Sequence, residues 1–227
     1  MSCNKEIYFP KMLCVLLIFL AILFFIPDMI MYKVIKIGPI EESAAILFFP
    51  FVYSIADSIT EVYGRNKAFL VLIACYSFSL LFSIIVMAVV HLPSPPGWQH
   101  QEAFNIVFSK GPWVIFVGIL SVGASMYANV KLMSSLKNKT RGRHFIIRSI
   151  MSSSIGELIV TGIAYPLIFY STNNSLMLLM VNAYCFKVIY SIVGAFPARF
   201  LVFLLREIDG IKQEVFSEEF QRFSDQK

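Results

Sequence analysis

FFPFVYSIADSITEVYG, residues 48–64, sets two carboxylates, Asp57 and Glu61, among residues that are otherwise apolar, aromatic or small and hydroxylated. Four residues apart, they fall on one face of a helix, with Tyr53 one turn earlier. In a soluble protein that face would meet water, but the rest of the chain argues for a different solvent. Of 227 residues, 58% are hydrophobic and 15% charged, far from the balance of an ordinary soluble domain. Apolar runs of about 20 residues, the length that crosses the hydrocarbon layer as helix, lie at 11–32, 44–62, 68–90, 112–133, 147–170 and 177–205. They lack the alternation of barrel strands. The expected fold is therefore all-α: a polytopic membrane protein with six transmembrane helices over residues 1–205. A short amphipathic tail follows at 206–227, where Ile208, Ile211, Val215 and Phe220 recur among charges.

Cations set the expected orientation, because basic segments stay on the cytoplasmic side. Residues 131–148 carry Lys131, Lys137, Lys139, Arg141, Arg143 and Arg148, the tail carries Arg206, Lys212, Arg222 and Lys227, and the turn at 63–67 carries Arg65 and Lys67. With an even number of spans, both termini are then cytoplasmic. The other side receives Lys33, Lys36, Lys110 and HLPSPPGW, 91–98, whose prolines favour an extended loop. Topology accounts for the basic loop, so nucleic acid is not expected as a partner; the lipid bilayer and a small molecule are. Nothing in the residues decides between a monomer and a homodimer. The first run continues past Pro27 and lacks a small-residue cleavage pattern, which marks a retained helix rather than a secretory leader. Cys3, Cys14, Cys75 and Cys185 have no metal or disulfide spacing. His91 and His100 fall on the opposite side from His144, so no metal or other cofactor is expected.

Six ionisable residues lie within the spans: Asp28, Asp57, Glu61, Glu157, Lys187 and Arg199. Each such charge costs about 2.5–3.5 kcal/mol at a helix centre and so marks a candidate functional position. Asp28 and Arg199 lie near span ends and can snorkel to water. Pro50 precedes Asp57 and Glu61, and a proline in an apolar span can open the broken-helix geometry that transporters place beside a site. Alternatively, Glu61 marks the helix end before Gly64 and only Asp57 is buried. Glu157 follows the small residues of SSSIG, 152–156, which allow close helix contact. It needs a partner, and Lys187 is the available cation. A structural ion pair and a substrate or proton site both fit that pairing.

Three stretches resemble a known family. FPFVYSIADSITEVYG (49–64), RSIMSSSIGELIVTGIAY (148–165) and YCFKVIYSIVGAFP (184–197) are similar to the proline-aromatic-aspartate, fifth-helix and last-helix patterns of the queuosine precursor transporter family, the YhhQ or VUT type. The second stretch departs from the pattern, since Val160 stands where an aspartate usually precedes the threonine matching Thr161. Either recognition differs here, or Glu157, one turn earlier, supplies the carboxylate.

The resemblance implies import of a 7-deazaguanine base or its nucleoside, such as preQ0, preQ1, queuine or queuosine, across a bacterial inner membrane for tRNA salvage. A guanine-like edge presents adjacent N–H donors that one carboxylate can accept in parallel. Asp57, Glu61 and Glu157 are the candidates for that edge and for the amine of a cationic cargo. Asn182, Ser152, Ser153 and Lys187 could donate to the carbonyl oxygen, and Tyr53, Tyr184, Phe186 and Phe51 offer ring faces for stacking. No GxxxxGK[ST] loop is present. The competing readings are a binding subunit with a separate energising partner and an intramembrane enzyme. The histidines cannot converge on a metal, no nucleophile–base pair is evident, and no catalytic residue is assigned.

Overall fold

The structure is a computed structural model that describes residues 10–30, 33–37, 40–108, 111–169 and 176–209. Away from water a backbone must satisfy its own hydrogen bonds, and the apolar runs accordingly form helices. In chain order these are α1 (Lys11–Ile30), α2 (Phe49–Tyr63), α3 (Arg65–Val90), α4 (Gln101–Phe108), α5 (Gly111–Lys139), α6 (Phe145–Phe169) and α7 (Leu176–Asp209). Strands β1 (Val34–Ile37) and β2 (Ile40–Ser43) pair antiparallel between α1 and α2, in the register Val34 opposite Ser43 and Ile37 opposite Ile40. This hairpin and the eight-residue α4 were not foreseen. Both are too short to produce a periodic signal, and both lie at the end of the bundle away from the basic turns.

Among the described residues, five helices are long and apolar enough to cross a membrane: α2 with the 3-10 turn before it, α3, α5, α6 and α7. The sixth expected span, α1, is apolar over Lys11–Pro27 and is shorter. The 34 residues of α7 extend about 50 Å. That exceeds a hydrocarbon layer of about 30 Å, so the basic end of α7, with Arg206, projects beyond it. The helix runs unbroken through the 205/206 boundary to Asp209, and the rest of the expected amphipathic tail lies outside the described residues.

The carboxylate-bearing stretch at 48–64 forms the centre of the bundle. Of the 15 residues of α2, twelve are buried, and the helix packs against α1, α3, α5, α6 and α7. The outer helices bury one face and leave the other bare. Ile73, Leu81 and Ile84 on α3 and Val193, Phe196, Phe200 and Phe203 on α7 are each more than half exposed. In water such a surface would aggregate; against lipid it costs nothing.

Two turns fix the basic end. Gly64 joins α2 to α3 at φ 86° and ψ 167°, a conformation open essentially to glycine alone, so the chain reverses on one residue. Between α5 and α6, Arg141, Gly142 and His144 all take positive φ. The Arg148 guanidinium reaches back to that turn, donating to the carbonyls of Arg143 at 2.9 Å and Gly142 at 3.3 Å. Close contact between α2 and α7 follows from small residues. Ser54 and Ser58 donate across to the Gly194 and Ala198 carbonyls at 2.9 and 3.2 Å, and a Cβ on Gly194 would lie 2.9 Å from the Ser54 hydroxyl oxygen.

Candidate functional site: a three-tier polar column

Polar residues recur every fourth position on four helices, and the bundle turns these stripes toward one another. They are Tyr53, Asp57 and Glu61 on α2; Ser121, Ser125 and Asn129 on α5; Ser149, Ser153, Glu157 and Thr161 on α6; and Lys187 and Ser191 on α7, all buried. A four-residue step is about 6 Å along a helix, so the stripes stack as tiers from the basic end toward the hairpin end.

The first tier is Glu61. Its carboxylate is held by Arg148 at 2.8 Å, Arg206 at 3.3 Å and Lys137 at 3.7 Å, and Lys137 also donates to its backbone carbonyl. Glu61 is 2% exposed and Arg148 1%, so the ion cluster is dry on its inner side. Glu61 is thus buried and at the helix end together, and it ties α2, α5, α6 and α7 at one point. Nearby, Tyr63 donates to Asp209 at 2.6 Å.

The second tier is Asp57, whose oxygens, among the described residues, accept only from neutral groups. Asn129 donates to Oδ1 at 2.7 Å, while Ser149 and Ser153 donate to Oδ2 at 2.5 and 3.3 Å. Three donors on two helices converge on one fully buried carboxylate, and charge-assisted bonds of this kind are among the stronger contacts a bundle interior can make.

The third tier contains groups that their surroundings leave unsatisfied. Lys187 Nζ stands 3.3 Å from Glu157 Oε2, yet among the described residues neither Glu157 oxygen accepts a hydrogen bond, and the hydroxyls of Thr161 and Ser191 are also unpaired. Thr161 lies one turn beyond Glu157 on α6, and Ser191 one turn beyond Lys187 on α7. Lys187 Nζ also lies 5.3 Å from the Phe49 ring centroid and 5.6 Å from that of Tyr165. The floor of this tier is a relay in which Ser125 donates to the Gly156 carbonyl at 2.7 Å and so receives the Tyr53 hydroxyl proton at 2.5 Å. Gly156 is needed for that approach, since a Cβ there would lie 2.8 Å from the Tyr53 ring.

The structure therefore brings Tyr53, Asp57, Glu61, Ser153, Glu157 and Lys187 onto one column. It does not bring Asn182 and Tyr184 there. These flank Ala183, the α7 residue that faces inward one turn before Lys187; both are half-buried, and neither bonds to a column carboxylate. Phe51 points outward, about half exposed. Val160 packs with Val117 and Ala164 in a small apolar cluster, so a carboxylate at 160 would face α5 hydrocarbon, whereas Glu157 faces Lys187. The column also includes residues that sequence reasoning passed over: Asn129, Ser125, Ser149, Thr161, Ser191, Phe49 and Tyr165. The four-residue repeat was their signal. Among the described residues no cluster of His, Cys, Asp and Glu could hold a metal ion.

No curated protein and no solved structure matches the chain. The family described as "Putative vitamin uptake transporter" (Vut_1) matches residues 43–202, which cover the three tiers of the column except Arg206 and well over half of the sequence. A multi-pass bundle of apolar helices around buried charge is the architecture expected of a transporter, and this chain belongs to that family of membrane transporters.

Proposed function

We propose that this chain imports a queuosine precursor, a 7-deazaguanine base such as preQ0, preQ1 or queuine or the nucleoside queuosine, with its basic end and both termini in the cytoplasm of a bacterial inner membrane. The observation that carries the reading is the Glu157 carboxylate, fully buried, with the Lys187 ammonium 3.3 Å from one oxygen and no partner on the other among the described residues. Leaving that oxygen unsatisfied is costly, and a ligand with adjacent N–H donors removes the cost. A guanine-like edge is such a ligand. Lys187, and the hydroxyls of Thr161 and Ser191, suit the ring carbonyl and nitrogens of the same flat molecule. Phe49 and Tyr165 then supply the ring faces.

The site is closed to both sides in this conformation, with Glu157 at 0% and Lys187 at 3% exposure. Entry requires α6 and α7 to part, as alternating access about a fixed midplane site demands. For a cargo with a protonated amine, an inside-negative potential contributes about 2.3 kcal/mol per 100 mV, which drives accumulation without a coupling ion.

The test is complementation in bacteria lacking both precursor synthesis and their own importer, supplied in turn with preQ0, preQ1, queuine and queuosine, with tRNA queuosine as readout. Restoration by at least one compound is expected. Failure with all four, with the protein present in the membrane and salvage enzymes active, rejects the cargo. Uptake by the purified chain in vesicles separates a transporter from a binding subunit that needs a partner.

A further inference from the structure

At the basic end, a cavity of about 670 Å³ opens between the start of α6 and the last turns of α7. Its wall combines cations with hydrocarbon. Arg199, Arg206 and His144 line it together with Ile147 and Phe203, and Glu61 is its only acidic lining residue among the described residues. Glu61 is already gripped by Arg148, Lys137 and Arg206. Among the described residues that line the cavity, two arginines face one carboxylate, and Arg206 already pairs with it, which leaves Arg199 as the uncompensated cation. Arg199 is exposed and makes no ion pair or hydrogen bond among the described residues. It sits seven residues before Arg206, about 10 Å nearer the membrane centre, on a helix whose neighbouring Phe196, Phe200 and Phe203 face outward. An unpaired guanidinium at that depth needs an anion or a path to water.

We infer that this cavity binds the phosphate headgroup of an anionic phospholipid, with an acyl chain lying along Ile147 and Phe203. The lip decides for a lipid over a free anion. Ile147 and Phe203 are 57% and 58% exposed and flank the opening on the outer, apolar surface of the bundle, so a ligand entering there carries hydrocarbon. The headgroup completes the charge of the Arg199–Arg206 pair and joins the ends of α6 and α7, the two helices that bound the Glu157 tier. Basic pockets between helices on the positively charged side are a recurring form of anionic-lipid recognition. This inference does not depend on the cargo.

The test titrates full-length protein in detergent with phosphatidylglycerol, or with phosphatidylcholine of the same chains, and reads the midpoint of thermal unfolding. Phosphatidylglycerol should raise the midpoint saturably and phosphatidylcholine should not. Arg199→Gln should raise the half-saturating phosphatidylglycerol concentration about fivefold, Arg199→Lys should keep most of the response, and Lys139→Gln, an exposed charge at the same end outside the cavity, should keep all of it. Should Arg199→Gln not yield folded protein, Phe203→Glu, which sets a carboxylate at the opening, is expected to abolish the response. Equal stabilisation by phosphatidylcholine, an unchanged titration for either cavity variant, or an equal loss in Lys139→Gln overturns the site. Stabilisation by glycerol phosphate as effective as that by the lipid overturns the lipid and leaves a free-anion site.

Discussion

Glu61→Gln preserves the side chain's shape and removes the single negative charge that three cations share. At an effective dielectric of about 20, the 2.8 Å contact with Arg148 alone corresponds to about 6 kcal/mol of attraction. Desolvation and the mutual repulsion of the cations offset much of this, and removing one partner of a buried pair costs about 3–5 kcal/mol net. The loss is large because Arg148, 1% exposed, has no solvent to turn to. At the 2–4 °C per kcal/mol typical of soluble chains of this length, the unfolding midpoint in detergent should fall by about 6–20 °C. The decisive comparison is the double variant Glu61→Gln/Arg148→Met. It removes the stranded cation, so its loss should fall short of the two single losses added together by about 2 kcal/mol or more. It stays below the wild type because the Gly142 and Arg143 carbonyls lose their donor. A Glu61→Gln midpoint within about 2 °C of wild type, or strict additivity in the cycle, refutes Glu61 as the electrostatic tie of the basic end.

Three further outcomes follow from the column. Asp57→Asn turns an amide toward groups that now donate to a carboxylate; at about 1.5–3 kcal/mol for each charge-assisted bond weakened, initial uptake rate should fall at least about tenfold while membrane expression persists. Gly156→Ala drives a methyl to 2.8 Å from the Tyr53 ring and 2.9 Å from the Ser125 hydroxyl, an overpacking expected to cost about 1–3 kcal/mol in thermal unfolding, and Gly162→Ala, where a Cβ meets nothing within 4 Å, is the neutral control. Val160→Asp buries a carboxylate against Val117 and Ala164; it should lower the unfolding midpoint and leave a Glu157→Gln variant unrescued, and rescue of uptake would show that position 160 does reach the site.

The spans were legible because an apolar run of membrane length has almost no stable home except a lipid-crossing helix, and α2, α3, α5, α6 and α7 fall on such runs with boundaries displaced mainly where polar residues extend a helix past the lipid. The pairing of Glu157 with Lys187 was legible for a related reason: two opposite charges in apolar runs have few alternative partners. The company of Glu61 was not. Arg148, Lys137 and Arg206 read as loop and tail cations that set topology, and a count of charges cannot tell one that faces water from one that folds back onto a carboxylate. Arg148 carried a signal nonetheless, since it stands inside the apolar run HFIIRSIM, 144–151. Asn129 was invisible for the opposite reason, being uncharged within an apolar helix, and only its four-residue spacing from Ser125 and Ser121 betrays a polar face. Asn182 and Tyr184 flank Ala183, which with Lys187 defines the inward face of α7, so helical phase sets them on its shoulders, half-buried.

The central claim is that the Glu157 tier holds a 7-deazaguanine. Its most direct test is equilibrium binding of preQ1 and queuine to purified wild type and Glu157→Gln in detergent, with thermal unfolding run alongside to show that both are folded. Glutamine retains the size of the side chain but presents one acceptor where the carboxylate presents two, so affinity should fall at least about tenfold, and because the buried Lys187 ammonium loses its carboxylate the midpoint should fall too, with a cooperative unfolding transition retained. Binding of equal strength by the two folded proteins, or no binding of either compound by the wild type, contradicts the account.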